Sequence, residues 1–103
     1  MINITYEHNE KTITSIIVKG HANQNVEGKD IVCSAVSAVI VGGANALKHK
    51  RDFQIDMKNG FMSIIAIRKI SCEDEIVLNT ILTQLQSIAE NSSQYVKIIR
   101  KDK

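Results

Sequence analysis

The chain has 103 residues, 44% hydrophobic and 23% charged, with a formal net charge of +2, two Cys, and no Pro or Trp. That size and composition fit one folded domain over residues 1–103 and exclude a disordered chain. Two Cys exclude a disulfide-stapled scaffold and point to a reducing cytoplasm, and the opening Met1-Ile2-Asn3-Ile4-Thr5 lacks the basic start and apolar run of a secretory leader.

Ile2, Ile4 and Tyr6 alternate with Asn3, Thr5 and Glu7, which is strand periodicity. The polar stretch His8-Asn9-Glu10-Lys11 turns the chain, and Ile13 to Lys19 reads as the returning strand of a hairpin. Residues 20–30 form a polar loop bounded by Gly20 and Gly28, longer than the common connection and so a candidate functional loop. Asp30 stands where a helix N-cap belongs, its carboxylate able to accept the unpaired N–H groups of a first turn. The helix predicted after it runs from about Ile31 to Leu47. This stretch holds no charge, but Ser34, Ser37, Gly42, Gly43 and Asn45 make it a helix buried in protein rather than a membrane span.

Phe53, Ile55 and Met57 alternate with Asp52, Gln54 and Asp56, and Asn59-Gly60 signals a tight turn whose two central positions both take positive φ. Phe61 to Ile67 is the return strand. Ser71 with Asp74 three residues on resembles a capping box, and the helix behind it stacks Leu78, Ile81, Leu82, Leu85, Ile88 and Ala89 on one stripe. Tyr95 to Ile99 is the last strand. The predicted order is β-β-α-β-β-α-β, an α+β fold with two helices packed on a mainly antiparallel sheet. Basic residues gather at Lys48, Lys50 and Arg51 and again at Lys97, Arg100, Lys101 and Lys103; they read as solvated loop and tail, so no direct nucleic-acid contact is expected.

A Cys, a His and an Asp carry the candidate chemistry. Cys33 falls at about the third position of the first predicted helix, where outward-facing N–H groups and the positive end of the macrodipole favour thiolate. Such a seat beside an imidazole brings a thiol pKa from about 8.5 to roughly 3.5–7.5. The same N–H groups, from Cys33 or Ser34, are candidates to hold an oxyanion. His21 follows the second strand, placed to accept the thiol proton and return it to a leaving amine. Asp30 is either an orienter of His21 or only a cap. Residue types alone leave open a Cys33 that is a small buried hydrophobe and a His21 that is polar surface. Cys72 also opens a helix but has no neighbouring His. No paired ligand spacing accompanies these residues, so neither metal nor cofactor is expected.

Gly20-His21-Ala22, followed by Gly28-Lys29-Asp30-Ile31-Val32-Cys33-Ser34-Ala35-Val36-Ser37-Ala38, resembles the signature of the bacterial ribosomal-processing cysteine proteases. The likeness extends to the chain length, the element order and the Asn59-Gly60 hairpin. It implies a peptide hydrolase that removes the short N-terminal extension of large-subunit ribosomal protein twenty-seven, cutting within a Phe-Phe-Ala-like stretch. Cys33 then matches the nucleophile, His21 the general base and Asp30 an acidic position of the site. Gly20, Ala22, Gly28, Ser34 and Ser37 match loop or substrate-side positions, with Ser34 departing from the Ala usual after the nucleophile. The resemblance also implies a homodimer and a mobile loop over residues 22–29 that closes on substrate. The small residues of the first helix fit that dimer, since they permit close approach. The competing readings are a non-enzymatic ribosome-associated module binding RNA or protein through its basic tail, and a thiol hydrolase of small molecules.

Overall fold

The computed structural model describes residues 1–20 and 29–102, without the side chains of Lys29 and Asp30. Its elements are β1 (Ile2–Asn9), β2 (Thr12–Lys19), α1 (Lys29–Ala46), a single 3₁₀ turn (Lys50–Asp52), β3 (Phe53–Lys58), β4 (Phe61–Ala66), α2 (Cys72–Asn91) and β5 (Val96–Asp102). The five strands form one sheet in the order β3-β4-β2-β1-β5. Only the β1–β5 pair is parallel; the other three are antiparallel. The α+β order expected from periodicity is the one observed.

Alternation along each strand sorts the side chains onto two faces. The register aligns Ile4 with Val18 and Ile98, and Ile16 with Ile64, on one face. There Ile4, Ile16, Val18, Ile64 and Val96 are buried together with Val36 and Ile40 of α1 and Leu78, Ile81 and Leu85 of α2. This single apolar layer between sheet and helices is the core, and each such side chain contributes about 1.5–3 kcal/mol through burial. The opposite face carries Thr5, Ile17, Ser63, Ile65 and Ile99, with no helix packed over it among the described residues.

Several local expectations need correction. The first helix starts at Lys29, so Asp30 is its second residue rather than its N-cap; an acidic residue type is favoured in a first turn as well, by the macrodipole. The Asn59-Gly60 turn places only Gly60 at positive φ, 83°, because a turn of the type II pattern asks for it at the second central position alone. The last strand is longer than expected: Arg100 and Lys101 join Lys97 in β5 rather than forming a tail, and β5 reaches Asp102 because β1 offers a free edge as far as His8. Ser71 does cap α2, its Oγ accepting the Asp74 N–H at 3.2 Å. The Asp74 carboxylate, however, turns toward the end of α1 and accepts from the N–H groups of Lys48 at 2.6 Å and His49 at 3.0 Å. His49 is therefore a half-buried part of this junction rather than a solvated end. His8 is also partly buried, and its Nδ1 finds no partner among the described residues.

Where α1 and α2 cross, a Cβ on Gly43 would overlap the Ile81 side chain, so glycine permits this approach. No helix among the described residues is long and apolar enough to cross a membrane.

Candidate active site

Cys33 lines a cleft of about 300 Å³ at the end of the sheet where β2 finishes and β4 begins. Three parts of the chain build it. Helix α1 contributes Cys33, Val36, Ser37 and Val41 along one side. Ile2 and Val18 rise from the sheet as its floor, and the β3–β4 hairpin supplies Met57, Met62 and the Lys58-Asn59-Gly60 tip. The walls are apolar and flexible where the two methionines stand, which suits an extended chain with large apolar side chains.

Gly20 closes the remaining side. Its φ is +126°, and a Cβ there would overlap the Met1 carbonyl oxygen. Its N–H donates to the Gly60 carbonyl at 3.1 Å, which ties the end of β2 to the hairpin tip. Glycine is required here by backbone conformation and by crowding together. The chain thus leaves β2 from a fixed point on the cleft wall, and its next residue is His21.

The structure brings Cys33, Gly20 and Ser37 together on this cleft. Ser37 lies one turn beyond Cys33 on the same helix face, as its spacing predicts. Ser34 is exposed and does not line it. His21, Ala22 and Gly28 lie outside the described residues, as do the side chain of Asp30 and the expected closing loop up to residue 28; Lys29 is already helical.

Starting α1 at Lys29 changes one chemical expectation. The first four N–H groups of a helix have no intrahelical acceptor. Cys33 is the fifth residue of α1, so its N–H and that of Ser34 belong to the helical ladder. They are not spare oxyanion donors. Cys33 is half-buried and packs against the core, with access to the cleft on its remaining side.

Cys72 differs in setting. It is the first residue of α2, exposed, in a groove at the opposite end of the sheet lined also by Arg68 and Lys69. Position at a helix start therefore does not separate the two thiols; the apolar cleft does. No cluster of three His, Cys, Asp or Glu suited to a metal ion occurs among the described residues. The residues that sequence reasoning missed are Met57 and Met62, directly opposed across β3 and β4. Their signal was available, since a two-residue turn at Asn59-Gly60 places them face to face.

The family model of cysteine protease Prp matches residues 1–97. The ribosomal processing cysteine protease Prp of Staphylococcus aureus strain Mu50 is 30% identical over 95 residues, covering 88% of this chain and 90% of the relative. Two crystal structures of the S. aureus ribosomal processing protease Prp share the fold. The complex with a substrate peptide has a TM-score of 0.83 at 28% identity, covering 98% of this chain and 100% of the other. The complex with a covalently linked product peptide has a TM-score of 0.82 at 29% identity, with the same coverage.

Proposed function

The chain belongs to the cysteine protease Prp family, and on that premise we propose that it removes the N-terminal extension of large-subunit ribosomal protein twenty-seven through a Cys33–His21 dyad. It is a cysteine protease. The observation that carries the dyad is the shared cleft: Cys33 lines it from α1, and Gly20, the residue before His21, is fixed on its wall. Consecutive Cα atoms lie about 3.8 Å apart, which supports the reading that His21 follows directly on an anchored point of the same cleft.

In the proposed reaction His21 takes the Cys33 proton, and the thiolate sulfur attacks the scissile carbonyl carbon. The tetrahedral intermediate collapses as the C–N bond breaks, and His21 protonates the departing amine. Water, deprotonated by the same imidazole, then hydrolyses the thioester and restores the thiol. Asp30, in the first turn of α1, is proposed to orient His21. Ala22, Gly28 and the residues between them are proposed to close over the bound peptide, with Gly20 the fixed end of that segment. The apolar cleft between Met57, Met62, Val18 and Val41 suits the aromatic residues of a Phe-Phe-Ala-like sequence.

The exposed side of α1 supports a homodimer. Ile76 of α2, 67% exposed, lines a groove of about 440 Å³ with Ala38, Gly42 and Gly43, and Ile31, 75% exposed, lines a second groove with Val32 and Ala35. A reducing cytoplasm is the proposed setting, since the reaction needs Cys33 kept as a reduced thiol.

The test is cleavage of a synthetic peptide spanning the extension. Wild type is expected to cut it, and Cys33→Ala to lose all turnover while keeping its circular dichroism spectrum. His21→Ala is expected to slow cleavage by about 10²–10⁴. A Cys33→Ala protein that still cuts would end the proposal, and a monomer by sedimentation at micromolar concentration would end the dimer.

A further inference from the structure

The strand register assembles a row of side chains that the sequence disperses. Lys58 pairs with Phe61, Phe61 with Lys19, Lys19 with Asn3, and Asn3 with Lys97. The row crosses all five strands from β3 to β5 on the sheet face away from the helices. With neighbouring strands about 4.8 Å apart, it spans roughly 19 Å and repeats a lysine roughly every 10 Å. Lys19, Lys58, Lys97 and Asn3 are exposed and Phe61 is half-exposed. The Lys19 Nζ sits 5.9 Å from the centroid of the Phe61 ring. None of the three lysines has an ion-pair partner among the described residues.

We propose that this row is a binding track for single-stranded RNA. Three cations spaced along one line match a phosphate backbone. The ring set between two of them offers a base the flat apolar surface on which single-strand binders stack bases, and a nearby lysine adds attraction to such a stack. Asn3 adds a donor and an acceptor for a base edge or a 2′-hydroxyl. An acidic peptide would use the lysines but has no use for the ring. The positive charge is concentrated in this row: farther along the same face Asp56 on β3 and Glu7 on β1 hold carboxylates, and the one lysine there on β5, Lys101, stands opposite Glu7. The cationic line therefore runs along the end of the sheet beside the cleft, since Lys58 is common to both and Lys19 precedes Gly20. The sequence expectation of no nucleic-acid contact came from basic runs at Lys48–Arg51 and at the C-terminus; of these only Lys97 enters the row.

The experiment uses the full chain and a fluorescein-labelled twelve-residue oligouridylate, with anisotropy followed as salt is raised from about 50 to 200 mM. Neutralising about three phosphates gives an expected log–log slope near −2, since each single-strand contact contributes about −0.7. Lys19→Ala and Lys97→Ala are each expected to flatten that slope by about 0.7. Lys97→Ala should leave peptide cleavage unchanged. Phe61→Leu, which keeps volume but removes the ring, is expected to weaken binding by about 5- to 100-fold. No binding at the lowest salt would overturn the proposal. So would a slope unaltered in both lysine variants, or competition by oligoaspartate or duplex RNA as effective as by the unlabelled single strand. Because the readout is binding rather than turnover, its failure leaves the protease assignment untouched.

Discussion

Replacing Asp74 should unfasten the two helices from each other. Its carboxylate is fully buried and accepts the N–H groups of Lys48 and His49, the first backbone donors beyond the turn that ends α1. Burial pushes this carboxyl up, but the Lys48 and His49 amides, the His49 charge and the Ser71 hydroxyl together outweigh it and hold it below its ordinary 3.8. Hydrogen bonds to a charged acceptor are worth about 1.5–3 kcal/mol each, offset in part by regained solvation of the freed amides, so Asp74→Ala should cost about 2–4 kcal/mol. In a domain of this size that lowers the melting temperature by about 10–25 °C. Asp74→Asn, which keeps one acceptor oxygen, should cost about half as much. The acid dependence has a fixed sign. A carboxyl depressed by folding contributes stability at pH values above its ordinary range, and loses it as pH falls through the folded value. Urea unfolding followed by circular dichroism at pH 7 and near pH 3 reads both effects. An Asp74→Ala midpoint equal to that of wild type at pH 7, or a difference as large at pH 3 as at pH 7, would refute the reasoning. Glu73→Gln is the control: the Lys48–Glu73 pair at 2.8 Å is more than half exposed on both sides, and its loss should leave the midpoint nearly unchanged.

Gly20→Ala forces a side chain into positive φ and against the Met1 carbonyl, so it should lower stability by about 1–3 kcal/mol. Peptide turnover should fall further than that loss of folded protein explains; wild-type turnover would show that the wall position is unimportant. Gly43→Ala and Gly42→Ala make a contrasting pair in thermal unfolding. The first meets Ile81 and should destabilise by about 1 kcal/mol once the helix-propensity gain of alanine is subtracted; the second meets nothing within 4 Å and should stabilise by up to about 1 kcal/mol. Alkylation by iodoacetamide must be read in a Cys72→Ser background, because Cys72 is the more exposed thiol. There, an added substrate peptide should protect Cys33, and mass spectrometry showing equal labelling with and without peptide would argue against the cleft as the binding site.

The helices and strands were legible because each has one dominant period. Alternation in Ile2–Tyr6 and Phe53–Met57, and the Leu78–Leu85 stripe, mark faces that the core does bury. The nucleophile was legible for another reason: Cys33 stands in a motif whose parts are adjacent in sequence. What was hidden depends on pairing across distance. Nothing local says that Asp74, a plausible capping-box acid, spends its charge on α1, since that choice is made by where α2 docks. The basic residues beyond Ile99 looked like a tail because charged residues are common there, yet pairing with β1 carries the strand on through Arg100 and Lys101 to Asp102. The helix start was misplaced by two residues because Asp30 is favourable both as a cap and within a first turn. That small shift matters to the chemistry, because it moves two amides from spare donors into the ladder.

The parallel pairing of β1 with β5 has a consequence for when the molecule becomes competent. Ile2 supplies part of the cleft floor, its N–H is held by the Tyr95 carbonyl at 2.8 Å, and it stands opposite Val96. The first strand synthesised therefore waits for the last one to gain its outer neighbour, a closure between distant parts of the chain that slows folding. A polypeptide still emerging from the ribosome holds Cys33 and the β3–β4 hairpin before β5 exists, so a chain cut short of Tyr95 is expected to lack the partners that fix Ile2 in the floor.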